Sequence, residues 1–346
     1  SKQIKEFKVK NVIVSNKKSF SILKKKFKKI KITNDFSNID KMFQSKLDYV
    51  MCSISGFDGL KPTLKIIKKT KTIAIANKES IICGWALLDK EIKRNKTKFI
   101  PVDSEHYSIW SVIKDIDKKK IEEIVITASG GPFFNLKSKK IKKTPKLATD
   151  HPNWKMGKKI SIDSATLMNK VFEVIEAKKI FNIDIKKFKI LIHPKSYIHT
   201  IIKFKNGLIK LVAHETDMKI PIFNSIYDNS HKIYKTKKVN IDLLNNLNFN
   251  DVDPKKYPLI KMLNKVPIKN TLFETLLVSI NDELVSLFLK KKISFEDISI
   301  KLMKIINSKI FNKYMRKKVN NLAQIEKLNE FVRLKTKSLS VISKIK

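Results

Sequence analysis

The fold class is decided by residues 48–102, which read DYVMCSISGFDGLKPTLKIIKKTKTIAIANKESIICGWALLDKEIKRNKTKFIPV. Short apolar runs alternate here with helical stretches, as they do in βαβ units. We predict strands at Asn11 to Ser15, Asp48 to Ser53, Thr72 to Ala76 and Lys98 to Val102. A helix is expected from Ser80 to Lys93, with Ser80 as its cap. The pattern indicates part of a parallel, doubly wound sheet of the nucleotide-binding type.

A complete domain of that type opens with a strand, a glycine-rich turn and a helix, and no G-x-G-x-x-G occurs in this sequence. The chain begins instead on a charged helical stretch. Two explanations remain open: the glycine-rich turn lies upstream of Ser1, or the chain does not bind a dinucleotide. We expect the first, which makes this an N-terminally truncated chain.

The pattern changes after residue 102. Residues 121–134, IEEIVITASGGPFF, predict a strand that runs into a glycine turn, and residues 187–214 predict a hairpin about Asn206-Gly207. From about Asn270 the apolar spacing is helical. The predicted class is therefore α/β, with a parallel Rossmann-like N-terminal domain at 1–102, an α+β central domain at 103–265 and a small α-helical domain at 266–346. A flexible lid is expected near 135–158.

The net charge of +42 attracts phosphate in general, and nucleic acid is therefore one candidate partner. Of 74 basic residues, however, only Arg94, Arg316 and Arg333 are arginines, the residue type that base-edge and bidentate phosphate contacts favour. The lysines are also spread over the whole chain. We expect no specific nucleic-acid binding and attribute the lysines to compositional bias.

Cysteine content and hydropathy bear on where the protein works. The two cysteines, Cys52 and Cys83, do not suggest a disulfide framework and fit a reducing compartment. No apolar run approaches the ~20 residues that a membrane helix needs. We therefore expect no membrane partner.

Two short clusters follow predicted strands. In PVDSEH, Asp103 and Glu105 would point to the same side of an extended chain, so both carboxylates could face one hard divalent cation. The ordinary alternative is a turn with a helix cap. In ASGGPF, Ser129 and two glycines offer a hydroxyl group and backbone amides for an anion, although an ordinary turn explains these residues equally well.

The richest cluster is HPNWKMGKKISIDSATLMNK, residues 151–170, followed by Glu173. Ser164, Asn169 and Lys170 supply hydroxyl, amide and ammonium donors, which suit a phosphate group. Glu173 lies about one helical turn beyond them and could add a third carboxylate. Trp154, with Met156 and Gly157, suggests a loop able to exclude water, or otherwise a buried anchor.

A further string, IHPKSYIH, contains His193 and His199 in strand-like context. A lone histidine in such a place is more often structural than catalytic. No Cys/His zinc spacing and no Gly-x-Ser-x-Gly occurs, which sets zinc-finger and hydrolase interpretations aside.

Five strings, namely ANKES, PVDSEH, SGGPF, the 151–170 string and LIHPKSYIH, resemble the 1-deoxy-D-xylulose 5-phosphate reductoisomerase family in order and approximate spacing. The resemblance implies a metal- and NADPH-dependent enzyme of the non-mevalonate (MEP) isoprenoid pathway. Its reaction would be a skeletal rearrangement followed by reduction to 2-C-methyl-D-erythritol 4-phosphate. It also implies Mg²⁺ or Mn²⁺, a small-molecule phosphate substrate, a homodimer, and a bacterial cytoplasm rather than a plastid.

The resemblance also gives roles to individual residues. The metal ligands would be Asp103, Glu105 and Glu173. The catalytic residues would be Lys78, Asp103, Glu105, His151 and Glu173. The substrate would contact Lys78, Ser104, Glu105, Ser129, His151, Trp154, Ser164, Asn169, Lys170 and Glu173. The cofactor would contact Asn77, Glu79 and Gly157, and His199 and Met218 would form part of the site wall.

The sequence departs from the family pattern at Val171, where glycine is usual, and in HETDM and SINDE. Two other functions compete with the one that the resemblance implies. A different NADPH-linked dehydrogenase would leave Glu173 unexplained. A lysine-rich nucleic-acid-binding module would show a salt-steep, sequence-indifferent affinity for DNA.

Overall fold

The computed structural model describes residues 1–37, 39–136, 141–228 and 230–341. The strands are β1 (Asn11–Ile13), β2 (Lys31–Thr33), β3 (Leu47–Cys52), β4 (Thr70–Ile75), β5 (Lys98–Pro101), β6 (Ile121–Ala128), β7 (Phe188–Ile192), β8 (Ile198–Phe204), β9 (Ile209–Ala213) and β10 (Asn250–Asp251). The α-helices are α1 (Lys2–Glu6), α2 (Lys17–Lys26), α3 (Ile39–Met42), α4 (Leu60–Ile66), α5 (Lys78–Arg94), α6 (Ser104–Ile113), α7 (Pro145–Thr149), α8 (Lys158–Ala165), α9 (Met168–Phe181), α10 (Lys219–Ile226), α11 (Ile241–Asn245), α12 (Phe273–Leu289), α13 (Phe295–Ile306), α14 (Asn312–Met315) and α15 (Leu322–Val341).

The N-terminal strands are all parallel, as predicted. β1 pairs with β2, and β3, β4 and β5 form a three-stranded parallel sheet with β4 in the centre. α5 connects β4 to β5, as in a βαβ unit. The predicted cap of α5 was wrong: Asn77 caps this helix through its side-chain oxygen, which accepts from the backbone N–H of Ser80. Asparagine is as good a cap as serine, so the helix begins two residues earlier than expected.

A second sheet occupies the middle of the chain. Its strand order is β10-β7-β6-β8-β9, in which β6 is parallel to β7 and antiparallel to β8. β8 and β9 form the predicted hairpin, and Gly207 in its turn has φ of 86°. The positive φ suits glycine because that residue has no Cβ to clash with the backbone.

The C-terminal part is helical, as predicted, and α12 lies at its centre. Every residue of α12 from Phe273 to Val285 is buried, and the helix contacts α5, α13 and α15. The core around it draws apolar side chains from Ile39 to Val332. The predicted α/β class, with a parallel N-terminal part, a mixed sheet and a helical C-terminal part, is confirmed. The domain boundaries stay a prediction. Among the described helices, none has both the length and the apolar character that crossing a bilayer requires.

Candidate active site

A cavity of about 300 Å³ collects the residues that the sequence analysis singled out for metal and substrate. Those among its lining residues are Lys78, Asp103, Ser104, Glu105, Ser129, His151, Trp154, Met156, Gly157, Ser164, Asn169, Lys170, Glu173, His199 and Met218. Strands β4, β5 and β6 of two different sheets end beside it, and α8 and α9 border it. The geometry therefore brings distant motifs into one small volume.

Asp103 and Glu105 reach this cavity from the start of α6. The expectation that both stand on extended chain was wrong, because α6 begins at Ser104 and Asp103 is its cap. The Asp103 carboxylate accepts from the backbone N–H of Glu105 at 3.3 Å. The helix-cap alternative and the pairing of two carboxylates are thus both correct, since the first turn of the helix brings the two side chains together.

Asn169, Lys170 and Glu173 enter the cavity from α9. The residue just before this helix, Leu167, has a left-handed backbone with φ of 63° and is buried. Such a conformation is uncommon outside glycine and costs free energy. It lets the chain turn sharply between α8 and α9, so the first turn of α9 faces the cavity.

The three predicted metal ligands converge. One carboxylate oxygen each from Asp103, Glu105 and Glu173 lies within 4.8 Å of the other two. Lys170 Nζ lies 2.5 Å from Glu105 Oε1 and 2.6 Å from Glu173 Oε2. Lys78 Nζ lies 3.3 Å from Asp103 Oδ2 and 3.4 Å from Glu173 Oε1. Two ammonium groups therefore hold three carboxylates together.

Burial and neighbouring charges shift the titration of these groups in opposite directions. Burial alone would lower the pKa of Lys78, but Asp103 and Glu173 raise it above its usual value. Burial and the nearby Glu173 raise the pKa of Glu105. Burial alone would raise the pKa of Asp103, but Lys78 and His106 together hold it well below its usual value. The carboxyl groups of Asp103 and Glu105, only two residues apart, thus have different proton affinities, as is typical of functional sites.

Three oxygen donors of this kind fit a hard divalent cation such as Mg²⁺ or Mn²⁺. Carboxylates are the ligands that these ions prefer, and a group of three buried carboxylates is stable only with cationic partners. In this chain, Lys78 and Lys170 are the cationic partners of the carboxylates. The donor set therefore agrees with the predicted metal site.

Ser129 and His151 form a hydrogen-bonded pair on another wall of the cavity. His151 Nδ1 accepts from the backbone N–H groups of Asn153 and Trp154, at 3.2 and 3.0 Å, so the ring proton is on Nε2. Nε2 then donates to Ser129 Oγ at 2.9 Å, and Gly131 N–H donates to the same oxygen at 3.1 Å. Burial and then Lys170 lower the pKa of His151 to about 4, in agreement with a neutral ring. The hydroxyl hydrogen of Ser129 is left to donate to a ligand.

The glycine turn after Ser129 has a steric reason. Gly131 has φ of 71°, and a Cβ at this position would lie 2.8 Å from Ala165 Cα and 2.9 Å from Ser164 O. Only glycine allows this turn to approach the end of α8 so closely. Ser164 and Ser129 consequently line the same cavity.

The predicted cofactor residues line an adjoining cavity of about 340 Å³. Asn77, Glu79 and Gly157 surround it together with residues 53–56, the loop that follows β3. Asn77 donates through its amide to the carbonyl groups of Ile54 and Gly56 while it caps α5. Its side chain is therefore committed to the fold, whereas Glu79 lines the cavity with its Oε1 bound to Lys159 Nζ.

Trp154 and His199 border the cavity on the side of the predicted lid. Their ring centroids are 6.1 Å apart in an edge-to-face arrangement, and His199 also stacks on His214 at 3.7 Å. Burial lowers the pKa of His199 well below its usual value, and His214 adds to this effect. Of the predicted lid, residues 137–140 lie outside the described residues, and its flexibility stays a prediction.

The sequence analysis missed several residues at the site. His106 donates from Nε2 to the backbone carbonyl of Glu173 at 2.9 Å, and its Nδ1 lies 3.3 Å from Asp103 Oδ1 and 3.6 Å from Glu176 Oε2. Burial alone would lower the pKa of His106, but Glu176 and Asp103 raise it to about 9. Its signal was its position directly after Glu105. Ser196, inside the quoted IHPKSYIH string, also lines the cavity.

His193, in contrast, is not part of the cavity lining. It is fully buried, its Nδ1 lies 2.9 Å from the carbonyl oxygen of Asn248, and its ring stacks on Phe249. These contacts agree with the structural interpretation of a lone histidine.

Comparison with known proteins agrees with this geometry. The family model for 1-deoxy-D-xylulose 5-phosphate reductoisomerase matches residues 1–84, and models for the C-terminal domains of that enzyme match 99–181 and 214–335. The chain is 58% identical over 345 residues to the 1-deoxy-D-xylulose 5-phosphate reductoisomerase of Pelagibacter ubique (strain HTCC1062), covering 98% of this chain and 89% of that protein. It is 37% identical over 312 residues to that of Sulfurihydrogenibium sp. (strain YO3AOP1), covering 90% and 81%.

Solved structures of the same enzyme also superpose on the chain. The 1-deoxy-D-xylulose 5-phosphate reductoisomerase from Zymomonas mobilis in complex with NADPH gives a TM-score of 0.86 at 28% identity, covering 98% of this chain and 88% of that one. A DOX-P reductoisomerase in complex with NADPH, fosmidomycin and magnesium gives 0.91 at 27% identity, covering 99% and 89%. The chain belongs to the 1-deoxy-D-xylulose 5-phosphate reductoisomerase family.

Proposed function

We propose that this chain converts 1-deoxy-D-xylulose 5-phosphate to 2-C-methyl-D-erythritol 4-phosphate, by a metal-dependent rearrangement followed by reduction with NADPH, in the non-mevalonate isoprenoid pathway. The observation that carries the proposal is the convergence of Asp103, Glu105 and Glu173 in a cavity that adjoins a second one at the end of a parallel sheet. The first cavity suits a metal and a small substrate, and the second lies where dinucleotides bind in such sheets.

Asp103, Glu105 and Glu173 would hold the divalent cation, Mg²⁺ or Mn²⁺. When bound there, the cation would chelate neighbouring oxygens of the substrate and stabilise the negative charge that develops on them. Lys78 and Lys170 contact these carboxylates. Their ammonium groups could donate to oxygens of the substrate when the carboxylates bind the cation. The site thus supplies charge stabilisation from both a metal and two fixed ammonium groups.

The phosphate group of the substrate would lie between Ser129, Ser164, Asn169 and Lys170. The free hydroxyl hydrogen of Ser129 and the ammonium group of Lys170 are donors of the kind that phosphate oxygens accept. His151 and Gly131 keep the Ser129 oxygen in place. Binding at this remote group would orient the reacting carbons.

Asn77, Glu79 and Gly157 would contact NADPH, which supplies the hydride. Asn77 fixes the loop after β3 on α5, and Glu79 presents a carboxylate in the first turn of α5. Trp154 and Met156, which precede Gly157, border the substrate cavity and would cover the substrate against water. Ser104, His199 and Met218 would complete the walls.

A second copy of the chain is the proposed protein partner. β9 is the edge strand of the five-stranded sheet, and Leu208, Ile209 and Leu211 in or beside it are exposed by about half. Exposed apolar edge strands in natural proteins are usually covered or paired. Sedimentation of the wild type and of Leu211→Lys measures the oligomeric state directly, and a wild-type monomer would contradict the proposed homodimer.

The buried free thiols Cys52 and Cys83 support a reducing cytoplasm as the location.

The function is tested by following NADPH oxidation with 1-deoxy-D-xylulose 5-phosphate, with and without Mg²⁺ or Mn²⁺, and by identifying the product by NMR. We expect metal-dependent oxidation that Glu173→Gln abolishes. Glu122→Gln is the matched control, because Glu122 has a lysine partner, Lys203, on the exposed side of β6 and β8. Oxidation that needs no metal, or that survives in Glu173→Gln, would overturn the metal site.

A further inference from the structure

Lys159 connects three carboxylates that come from three different helices. Its Nζ lies 2.6 Å from Glu79 Oε1 in α5, 3.0 Å from Asp163 Oδ2 in α8 and 3.1 Å from Asp282 Oδ1 in α12. The three carboxylate side chains are buried, whereas Lys159 is partly exposed. Asn281 donates to the other oxygen of Asp163 at 2.7 Å. With its carboxylates ionised, the cluster carries three negative charges and one positive charge, and Lys159 is the cation that pairs with all three.

Three members of this cluster, Glu79, Lys159 and Asp163, line the cofactor cavity. A buried carboxylate stays ionised only if a cation or several donors stabilise it. Burial alone would raise the pKa of Glu79, but Lys159 lowers it below its usual value. An ionised carboxylate in a fixed position accepts hydrogen bonds from hydroxyl groups better than a neutral or rotated carboxyl group does.

Lys159 also belongs to the segment that borders the substrate cavity. It lies in the first turn of α8, two residues after Gly157 and five after Trp154. The ion pair with Glu79 therefore ties the end of the proposed lid to the first turn of α5. Among the described residues, the hydrogen bonds and ion pairs given for the Lys159 ammonium group go to Glu79, Asp163 and Asp282, and none of these three lines the substrate cavity.

We propose that Lys159 is a positioning residue for the cofactor: it holds Glu79 as an ionised acceptor for the hydroxyl groups of the unphosphorylated ribose of NADPH. The inference rests on the proposed function, because it takes NADPH as the occupant of the cavity. Lys159 is expected to affect the affinity for the cofactor. The proposed phosphate and metal ligands lie in the substrate cavity, and Gly157 lines both cavities.

The test measures the Kd of NADPH by calorimetry, without substrate or metal. Lys159→Met weakens NADPH binding at least tenfold, whereas Lys159→Arg stays within threefold of the wild type. The KM for the sugar phosphate at saturating NADPH changes less than threefold in both variants. Lys93→Met is the matched control, since it removes an exposed lysine that pairs with Asp89 at 2.6 Å on α5. Unchanged NADPH affinity in a folded Lys159→Met variant would overturn the proposal.

A double-mutant cycle shows whether Lys159 acts through Glu79. In a Glu79→Gln background, Lys159→Met should weaken NADPH binding by no more than twofold, because the acceptor that it positions is already lost. Additive losses would show that Lys159 does not act through Glu79, and would overturn the proposal.

If Lys159→Met alone does not fold, a second variant combines Lys159→Met with Asp282→Asn. This variant keeps the net charge of the cluster at its wild-type value of about −2 and still leaves Glu79 without its cation. Normal NADPH affinity in this variant would also refute the role of Lys159, whereas a wild type that does not bind NADPH would refute the proposed function itself.

Discussion

Val171 stands where glycine is usual in the family, and its replacement by glycine tests whether the valine damages the active site or stabilises the core. Its side chain is fully buried in the main core cluster, where α9 packs against α5, and it is not among the lining residues of either cavity. We therefore expect Val171→Gly to destabilise the protein without changing its chemistry. The magnitude follows from the three buried carbons that the substitution removes.

Each buried carbon contributes about 0.8 kcal/mol, which gives about 2.4 kcal/mol for the transfer of the side chain from the core to water. The cavity left behind and the freedom of glycine in a helix add about 1 kcal/mol. We expect the free energy of unfolding to fall by about 3.5 kcal/mol, a large share of the ~5–15 kcal/mol that a folded protein has. Val171→Ala should cost about half as much.

Equilibrium urea unfolding, followed by circular dichroism, measures this loss, and steady-state kinetics at a temperature where the variant is folded measures its activity. Ile300→Gly is the control for the backbone effect, because Ile300 lies in α13 with 63% of its surface exposed, and we expect it to cost about 0.5–1 kcal/mol. A loss below about 1 kcal/mol for Val171→Gly would refute the packing argument. A kcat or metal affinity that changes more than threefold would show that Val171 shapes the active site.

Three further substitutions or conditions test the site. Ser129→Ala should raise the KM for the sugar phosphate about 10- to 100-fold, since it removes a hydrogen bond to a charged group, and an unchanged KM in steady-state assays would exclude Ser129 from the phosphate site. His106→Phe should weaken Mn²⁺ binding about 10- to 100-fold in a titration while the Kd of NADPH stays constant, because His106 orients Asp103 and the Glu173 backbone. Because the pKa of His151 is lowered from 6.5 to about 4 in the folded protein, the unfolded chain takes up its proton first, and stability should fall as the pH decreases from 6.5 to 4. Urea midpoints at several pH values should show a weaker dependence in His151→Gln, and an identical dependence would contradict the assignment.

Local sequence patterns were sufficient to predict most of the fold and many of the residues that line the candidate site. The alternation of apolar runs predicted the parallel strands, because strand and helix periods differ and each needs one buried face. The hairpin at Asn206-Gly207 was predictable because its turn requires a positive φ. Glu173 was placed correctly relative to Lys170 because both lie on one helix, where a spacing of three residues fixes their contact.

Contacts between distant parts of the chain were not predictable from these patterns. Glu79 and Lys159 are 80 residues apart, and their ion pair depends on how α5 and α8 each pack against α12. The interaction of His106 with Glu176 likewise depends on the packing of α6 against α9. The reason given for pairing Asp103 with Glu105 was wrong although the pair was correct, since a carboxylate after a strand can both cap a helix and face a cavity.

The charges of the site explain why the same residues can serve a metal and an anionic substrate. When ionised, the carboxylates of Asp103, Glu105 and Glu173 carry three negative charges, and Lys78 and Lys170 beside them carry two positive charges. Unpaired carboxylates in such a buried place would be costly, so the lysines stabilise the fold before any ligand binds. A divalent cation held by these carboxylates would replace the lysines as their cationic partner, and the two ammonium groups could then donate to oxygens of an anionic substrate. Since the added positive charge favours an anionic ligand in the same cavity, the binding of metal and that of substrate should strengthen each other, and by linkage the effect must be equal in both directions.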